Sequence, residues 1–370
     1  MRHAAPTARA EDFEISVEPA FDFLSAEYRA LYAGGSASAF QAPLWQAMLH
    51  QRLAPRLKAR QKTIAVRRAA DRTLVAVLPF VEQSSAGIRI VQPADFGLCD
   101  RNEIVGERMT LERIAADGRA LSRLGIAVDG ADLLLIRKVW EDGFDPMRLF
   151  PGARSRQAQN DAYVCENGTD TVMWRAGLRK KFTKEMGRLE RQTARDFGSY
   201  EHRAVIDADE IRTAFEFLRI ARRGRHAHDV LGDERFYKFY LDYAIEGART
   251  GEAITYASYI AGEPAAVLFG LCGDGVYHAV LIGADVGGHA RQSTGIQLLY
   301  RVIEQRMREG HSVFDMGLGD PGYKAHFRPR TVAVRNMTCA LSPTGSAIAL
   351  IYNQSKPLKN FIKGVLPNVR

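Results

Sequence analysis

A chain of 370 residues exceeds what one hydrophobic core usually supports and suits two domains. Its 46% hydrophobic and 25% charged residues exclude a disordered or fibrous chain, and no stretch approaches the roughly 20 apolar residues of a membrane-spanning helix. The formal net charge of +8 calls for an anionic partner, and coenzyme phosphates, an acidic polymer and RNA all satisfy it.

Residues 1–11 are basic with no apolar segment behind them, which reads as a disordered tail and not a secretory signal. Cys99, Cys165, Cys272 and Cys339 are scattered and form no CxxC pair, so reduced thiols in a cytoplasmic protein are expected. Residues 62–67 and 73–80 are β-rich runs around a polar turn, which predicts an antiparallel hairpin. Residues 88–91 form another strand, followed by the loop Ala94-Asp95-Phe96-Gly97-Leu98-Cys99-Asp100. Apolar residues recur at helical spacing over 111–124, and 131–136 is a short buried strand.

The second half repeats this plan. Strands are expected at 254–260, 265–271 and 276–282, then a helix at 295–309 and a strand at 312–316. The polar, turn-rich stretch Glu166-Asn167-Gly168-Thr169-Asp170 marks the boundary. This predicts an α/β chain of mixed sheets, with domains at 12–167 and 168–345 and a helical tail at 346–370.

The segment 174–197 is helical and basic, with Lys180, Lys181, Lys184, Arg188 and Arg191 opposite an apolar stripe of Leu178, Phe182 and Leu189. It reads as a surface for an anionic substrate or a membrane, or as a solvated helix face. His226-Ala227-His228-Asp229 has two histidines but no third ligand at matching spacing, so no metal is expected.

The chemistry concentrates in residues 289–327. Arg291-Gln292-Ser293-Thr294-Gly295-Ile296 follows a strand and opens a helix, where free backbone N–H groups and the helix dipole suit phosphate oxygens. The next strand ends in Phe314-Asp315-Met316-Gly317-Leu318-Gly319-Asp320, then Pro321-Gly322-Tyr323-Lys324. Glycines there let the backbone approach a ligand. Lys324 can neutralise a phosphate or stabilise an oxyanion, and Tyr323 can protonate a leaving thiolate. Asp95 can bind a substrate amine or act as a base, or merely close an Asx-turn. His278, within a strand, faces either the cleft or the core.

This order of elements resembles the GNAT-type acyltransferases of the CelD or FemAB-like group. Phe40-Gln41-Ala42-Pro43-Leu44-Trp45 and Trp174-x-x-x-Leu178-x-x-Lys181 are similar to the segments opening that family's two domains. The resemblance implies two tandem GNAT-like domains, with the first a degenerate half on the acceptor side. It implies acyl transfer from a thioester, acyl-CoA or an acyl carrier protein, to an amine or hydroxyl of a small-molecule acceptor. The thioester carbonyl would be polarised by a backbone N–H at a splayed strand. Asp315, Asp320, Tyr323 and Lys324 would surround the reaction, residues 291–296 would hold the cofactor, and Trp45, Asp95, Phe96 and His278 would contact substrate. The alternatives are a Fem-like transferase using aminoacyl-tRNA and a non-catalytic accessory protein of polysaccharide assembly.

Overall fold

Short apolar runs broken by polar turns fold the first half into narrow, mostly antiparallel sheets. The structure, a computed structural model, describes residues 12–224, 229–285, 287–288, 290–319 and 322–354. β1 (Phe13–Glu18) leads to α1 (Ala26–Gly34), capped by the Ser25 side chain, and to α2 (Pro43–Met48), which opens on proline. There follow β2 (Ala59–Gln61), β3 (Thr63–Arg68), β4 (Leu74–Leu78), β5 (Phe80–Ser85), β6 (Ile88–Pro93) and β7 (Val105–Gly106). The expected hairpin is β3 and β4, with Ile64 opposite Leu78. The helix expected over 111–124 is two helices, α3 (Arg108–Ala116) and α4 (Gly118–Val128). Asp117 parts them because its carboxylate accepts the Arg119 N–H and caps α4. β8 (Leu133–Trp140) and β9 (Arg154–Gln157) complete this half.

The remainder runs β10 (Ala162–Glu166), α5 (Thr171–Gly177), α6 (Lys180–Phe197), β11 (Tyr200–Val205), α7 (Ala208–Arg222) and α8 (Glu234–Thr250). The basic helix is therefore broken at Leu178 and Arg179. Then come β12 (Ala253–Ile260), β13 (Glu263–Gly273), β14 (Val276–Ala284), α9 (Thr294–Arg308) and β15 (Val313–Leu318). β16 (Arg330–Val332), β17 (Val334–Ala340) and α10 (Pro343–Gln354) close the described chain.

The strands form sheets ordered β1-β3-β4-β7, β2-β5-β6-β8-β17-β9 and β11-β12-β13-β14-β15-β10-β16. Each half thus has a mixed sheet with one parallel pair, β6 with β8 and β14 with β15. The halves also exchange strands: β10 pairs with β15, and β17 returns to lie beside β8. Along β13, Val267, Phe269 and Leu271 join a core with Phe215, Phe239 and Tyr243 of α7 and α8, whereas Ala266 and Leu268 face α9. That alternation is the period of two expected of a strand buried on both faces. The same core takes in Trp45, Phe96 and Leu98 of the first half, so one apolar body joins the two. No described helix is long and apolar enough to cross a membrane.

His50 stacks on Phe23 at 4.7 Å, and neither ring nitrogen has a partner among the described residues. Burial pushes its pKa down to about 3. The unfolded chain therefore takes up a proton below pH 6.5 that the folded chain refuses until about pH 3. Stability should fall across that window by at most about 1.4 kcal/mol per pH unit from this group. Urea denaturation between pH 6.5 and 5 should give His50→Leu a flatter slope than the parent; equal slopes would refute the assignment.

Candidate active site

β14 and β15 pair in parallel only from Val276 to His278 and from Val313 to Asp315. Beyond that they part. Opposite β13, Phe269 faces Leu281 while Gly270 faces Ala279, so Val280 is an extra residue in the ladder. Such a bulge bends its strand and leaves the inserted residue out of the hydrogen-bond pattern. On the other side Gly317 and Gly319 adopt φ of +72° and +112°, which turns the chain away from β14. The gap holds a cavity of about 570 Å³. Ala279 to Ile282 form one wall, Met316 to Gly319 the other, and Leu268 and Leu299 add apolar surface.

Four side chains give the cavity its polarity: Asp100, Arg222, Tyr323 and Lys324. Asp100 crosses from the first half, and a Cβ on Gly317 would lie 2.9 Å from its Oδ2 and 3.2 Å from the Ala279 carbonyl. Only glycine leaves room for that approach. Burial pushes the Asp100 carboxyl above its usual range and Asp315 adds to this, while Lys138, Lys324 and a bond from the Leu318 N–H oppose it. Lys324 is buried, and its Nζ donates to the carbonyls of Gly317 (3.1 Å) and Leu318 (2.8 Å). Its charge therefore secures the turn after β15. Arg222 is held by Asp229 (2.9 Å) and the Ile282 carbonyl (2.8 Å). Tyr323 is 36% exposed, yet the protein packed around its hydroxyl raises it above its ordinary value, with Arg222 opposing, so the phenol stays protonated and can donate.

Residues 179–325 match the model of the acetyltransferase (GNAT) domain. This segment is a GNAT-like acetyltransferase domain. Among solved structures the chain is similar to FemX, with a TM-score of 0.58 and 10% identity over 84% of this chain and 97% of that one. It is also similar to L-PGS from Bacillus licheniformis, with a TM-score of 0.54 and 12% identity over 91% and 97% of the two chains. The C-terminal domain of a putative lysylphosphatidylglycerol synthetase from Agrobacterium fabrum gives a TM-score of 0.53 and 13% identity over 87% and 93%. At these identities the likeness establishes the fold, a mixed α/β arrangement. No curated protein matches the sequence.

Within the GNAT domain, Asp315 does not line the cavity but sits directly behind it. Its Oδ2 is 2.8 Å from Nδ1 of His278, and its Oδ1 accepts the Gly317 N–H at 2.7 Å. His278 is buried against Phe40, so it belongs to this inner layer. Asp320 lies outside the described residues, as do Pro321, His226 to His228 and His289. Residues 291–296 do not line the cavity either, though Leu299, a little over one turn along α9, does. Arg291 is exposed, Ser293 has φ +52°, and the Thr294 hydroxyl donates to the Ala265 carbonyl at 3.0 Å. A Cβ on Gly295 would meet Ala284 at 3.0 Å, so this glycine lets α9 start close against β14. At this turn Oε1 of Gln292 is buried without a partner among the described residues.

The first-half residues lie elsewhere. Trp45 is fully buried among Phe239, Tyr240 and Tyr243, with its Nε1 donating to Cys99 Sγ at 3.3 Å. Phe96 is core, and Asp95 forms a buried ion pair with Arg137 at 2.7 Å. The residues that reach the cavity and were not singled out for it are Asp100, Arg222 and the Val280 bulge. Asp100 ends the acidic-aromatic loop, and Arg222 ends a helix in a run of arginines; these were the only local signals. No described group of three His, Cys, Asp or Glu side chains is arranged to hold a metal ion.

Proposed function

We propose that the chain is an acyltransferase. It moves an acyl group from a thioester, acyl-CoA or an acyl carrier protein, to the amine or hydroxyl of a small-molecule acceptor in the cavity between β14 and β15. The resemblance to CelD-type proteins points to acceptors of envelope polysaccharide or small-metabolite synthesis. The observation that carries the reading is the parting of these strands beside the Val280 bulge, which opens a cavity lined by Val280, a carboxylate and a phenol.

In this reading the Val280 N–H polarises the donor carbonyl. Asp100 takes the acceptor's proton as its nitrogen or oxygen attacks the carbonyl carbon. That bond forms, the carbon–sulfur bond breaks, and Tyr323 protonates the departing thiolate. Most of the rate comes from positioning. Lys324 and Asp315 keep the β15 turn in shape, and the turn at 291–296 holds donor phosphate.

A second reading, aminoacyl-tRNA as donor, is favoured by α6. Its exposed Lys180, Lys181, Lys184 and Arg191 form no ion pair among the described residues. On its other face Phe182 stacks at 4.8 Å on His326, in the turn that carries Tyr323 and Lys324. A thermal-shift series with acetyl-CoA, longer acyl-CoAs and free CoA separates the two. A thioester at 100 times its Kd should stabilise the fold by about 2.7 kcal/mol and raise Tm. No shift with any thioester, together with charged-tRNA binding that weakens steeply with salt, would replace the first reading by the second.

A further inference from the structure

The first half has its own parallel pair, and it parts in the same way. Ile90 and Val91 of β6 pair with Leu133 and Leu134 of β8, and the parallel ladder ends there. Here the gap is filled from within. Asp95, just past β6, is 2.7 Å from Arg137 of β8, and both are buried. Asn102 Nδ2 donates to Asp95 Oδ2 and to the Arg137 carbonyl, each at 2.9 Å, and Asp95 Oδ1 takes the Gly97 N–H at 3.1 Å.

The next residue on β8 ties down the rest of the loop. Lys138 adopts φ +54°, a region few non-glycine residues enter, and its N–H donates to Asn336 Oδ1 of β17 at 3.0 Å. From that position its ammonium donates to the Gly97 carbonyl at 3.3 Å and to the Cys99 carbonyl, and lies 3.8 Å from Asp100 Oδ1. The Asp100 carbonyl is itself held by Trp140 Nε1 at 2.9 Å. Asp100 is thus fixed to β8 through its own main chain and those of Gly97 and Cys99.

We infer that Asp95, Arg137 and Lys138 are positioning residues. The strand gap of the first half is closed by a buried ion pair, and the loop anchored there presents Asp100 to the cavity of the other half. It follows that the chain holds one acylation site, with the first half serving as the mount for its base. This rests on the reading of Asp100 as that base. The charged and titratable groups facing Asp100 are Lys138, Lys324, Asp315, the Cys99 thiol and the Tyr240 hydroxyl. Lys138 is the nearest cation, and removing it should favour the protonated carboxyl.

The test is a carboxyl-carbon NMR titration of the full chain labelled at aspartate, with Asp100 assigned by its absence in Asp100→Asn. Lys138→Met should move the Asp100 midpoint up by about one pH unit, and Lys138→Arg should restore it. Lys138→Gln keeps a donor for the loop carbonyls and should give the same upward move if the Met variant folds poorly. An unchanged midpoint in the folded variants overturns the inference. Undiminished acyl transfer by Asp100→Asn would instead overturn the reading of the base, and the titration would still stand.

Discussion

Asp100→Asn should lower acceptor-dependent thiol release from an acyl-CoA by about 100-fold or more, the usual contribution of a positioned general base. The fold should not suffer. Burial makes the Asp100 carboxylate unfavourable where it lies, and asparagine keeps an oxygen for the Leu318 N–H. The sign of the pH dependence follows. The folded pKa lies above the unfolded one, so the native state holds this proton more tightly and loses stability as pH rises between the two values. Over the same rise the base becomes available, so kcat/KM of the parent should climb through a midpoint above the ordinary aspartate range. Asp100→Asn should lose that limb and show equal or higher Tm near neutrality. A variant within threefold of the parent rate would remove Asp100 from the chemistry.

The second large effect concerns stability. Asp95→Ala should cost about 3–5 kcal/mol, because it removes the buried carboxylate that faces the buried Arg137 guanidinium. Burial pushes the Asp95 carboxyl up, but Arg137, Lys138 and bonds from Asn102 and Gly97 together hold it below its usual range. Its contribution is therefore complete above the unfolded pKa and is lost as pH falls through the folded one. Replacing both partners, Asp95→Leu with Arg137→Met, should cost clearly less than the two single changes added together. Urea denaturation of these variants beside the parent measures this directly. A loss below about 1 kcal/mol for Asp95→Ala would mean that the pair is not what closes this gap.

Local pattern made much of the second half legible. The hairpins and the helix at 295–309 appear as β12, β13, β14 and α9, because period and turn residues are short-range signals. Long-range features were not legible. Nothing near residue 162 or residue 334 says that β10 and β17 each join the other half's sheet, since strand partners are chosen over distances no local period records. Two helices were read as continuous although Gly118 and Gly177 stand at the breaks, because a lone glycine inside an apolar helical period does not by itself mark an end. The loop 94–100 shows the same limit at the site. Asp95 and Asp100 look alike in sequence, and their different surroundings are decided by Arg137, 42 positions from Asp95, and by Gly317 in the other half. The glycines after β15 did mark the edge of the cavity. Lys324 was conspicuous too, but its partners, two main-chain carbonyls of its own turn, follow only from φ at Gly317 and Gly319.

The most direct measurement is a crystal structure of the chain with a ketone analogue of acetyl-CoA, in which a methylene replaces the thioester sulfur. The analogue's carbonyl oxygen should lie about 2.9 Å from the Val280 nitrogen, with Asp100 and Tyr323 flanking it and the pyrophosphate at the start of α9. An analogue bound anywhere other than the gap between β14 and β15, or that gap left without it at saturating concentration, would mean that acyl transfer does not take place there.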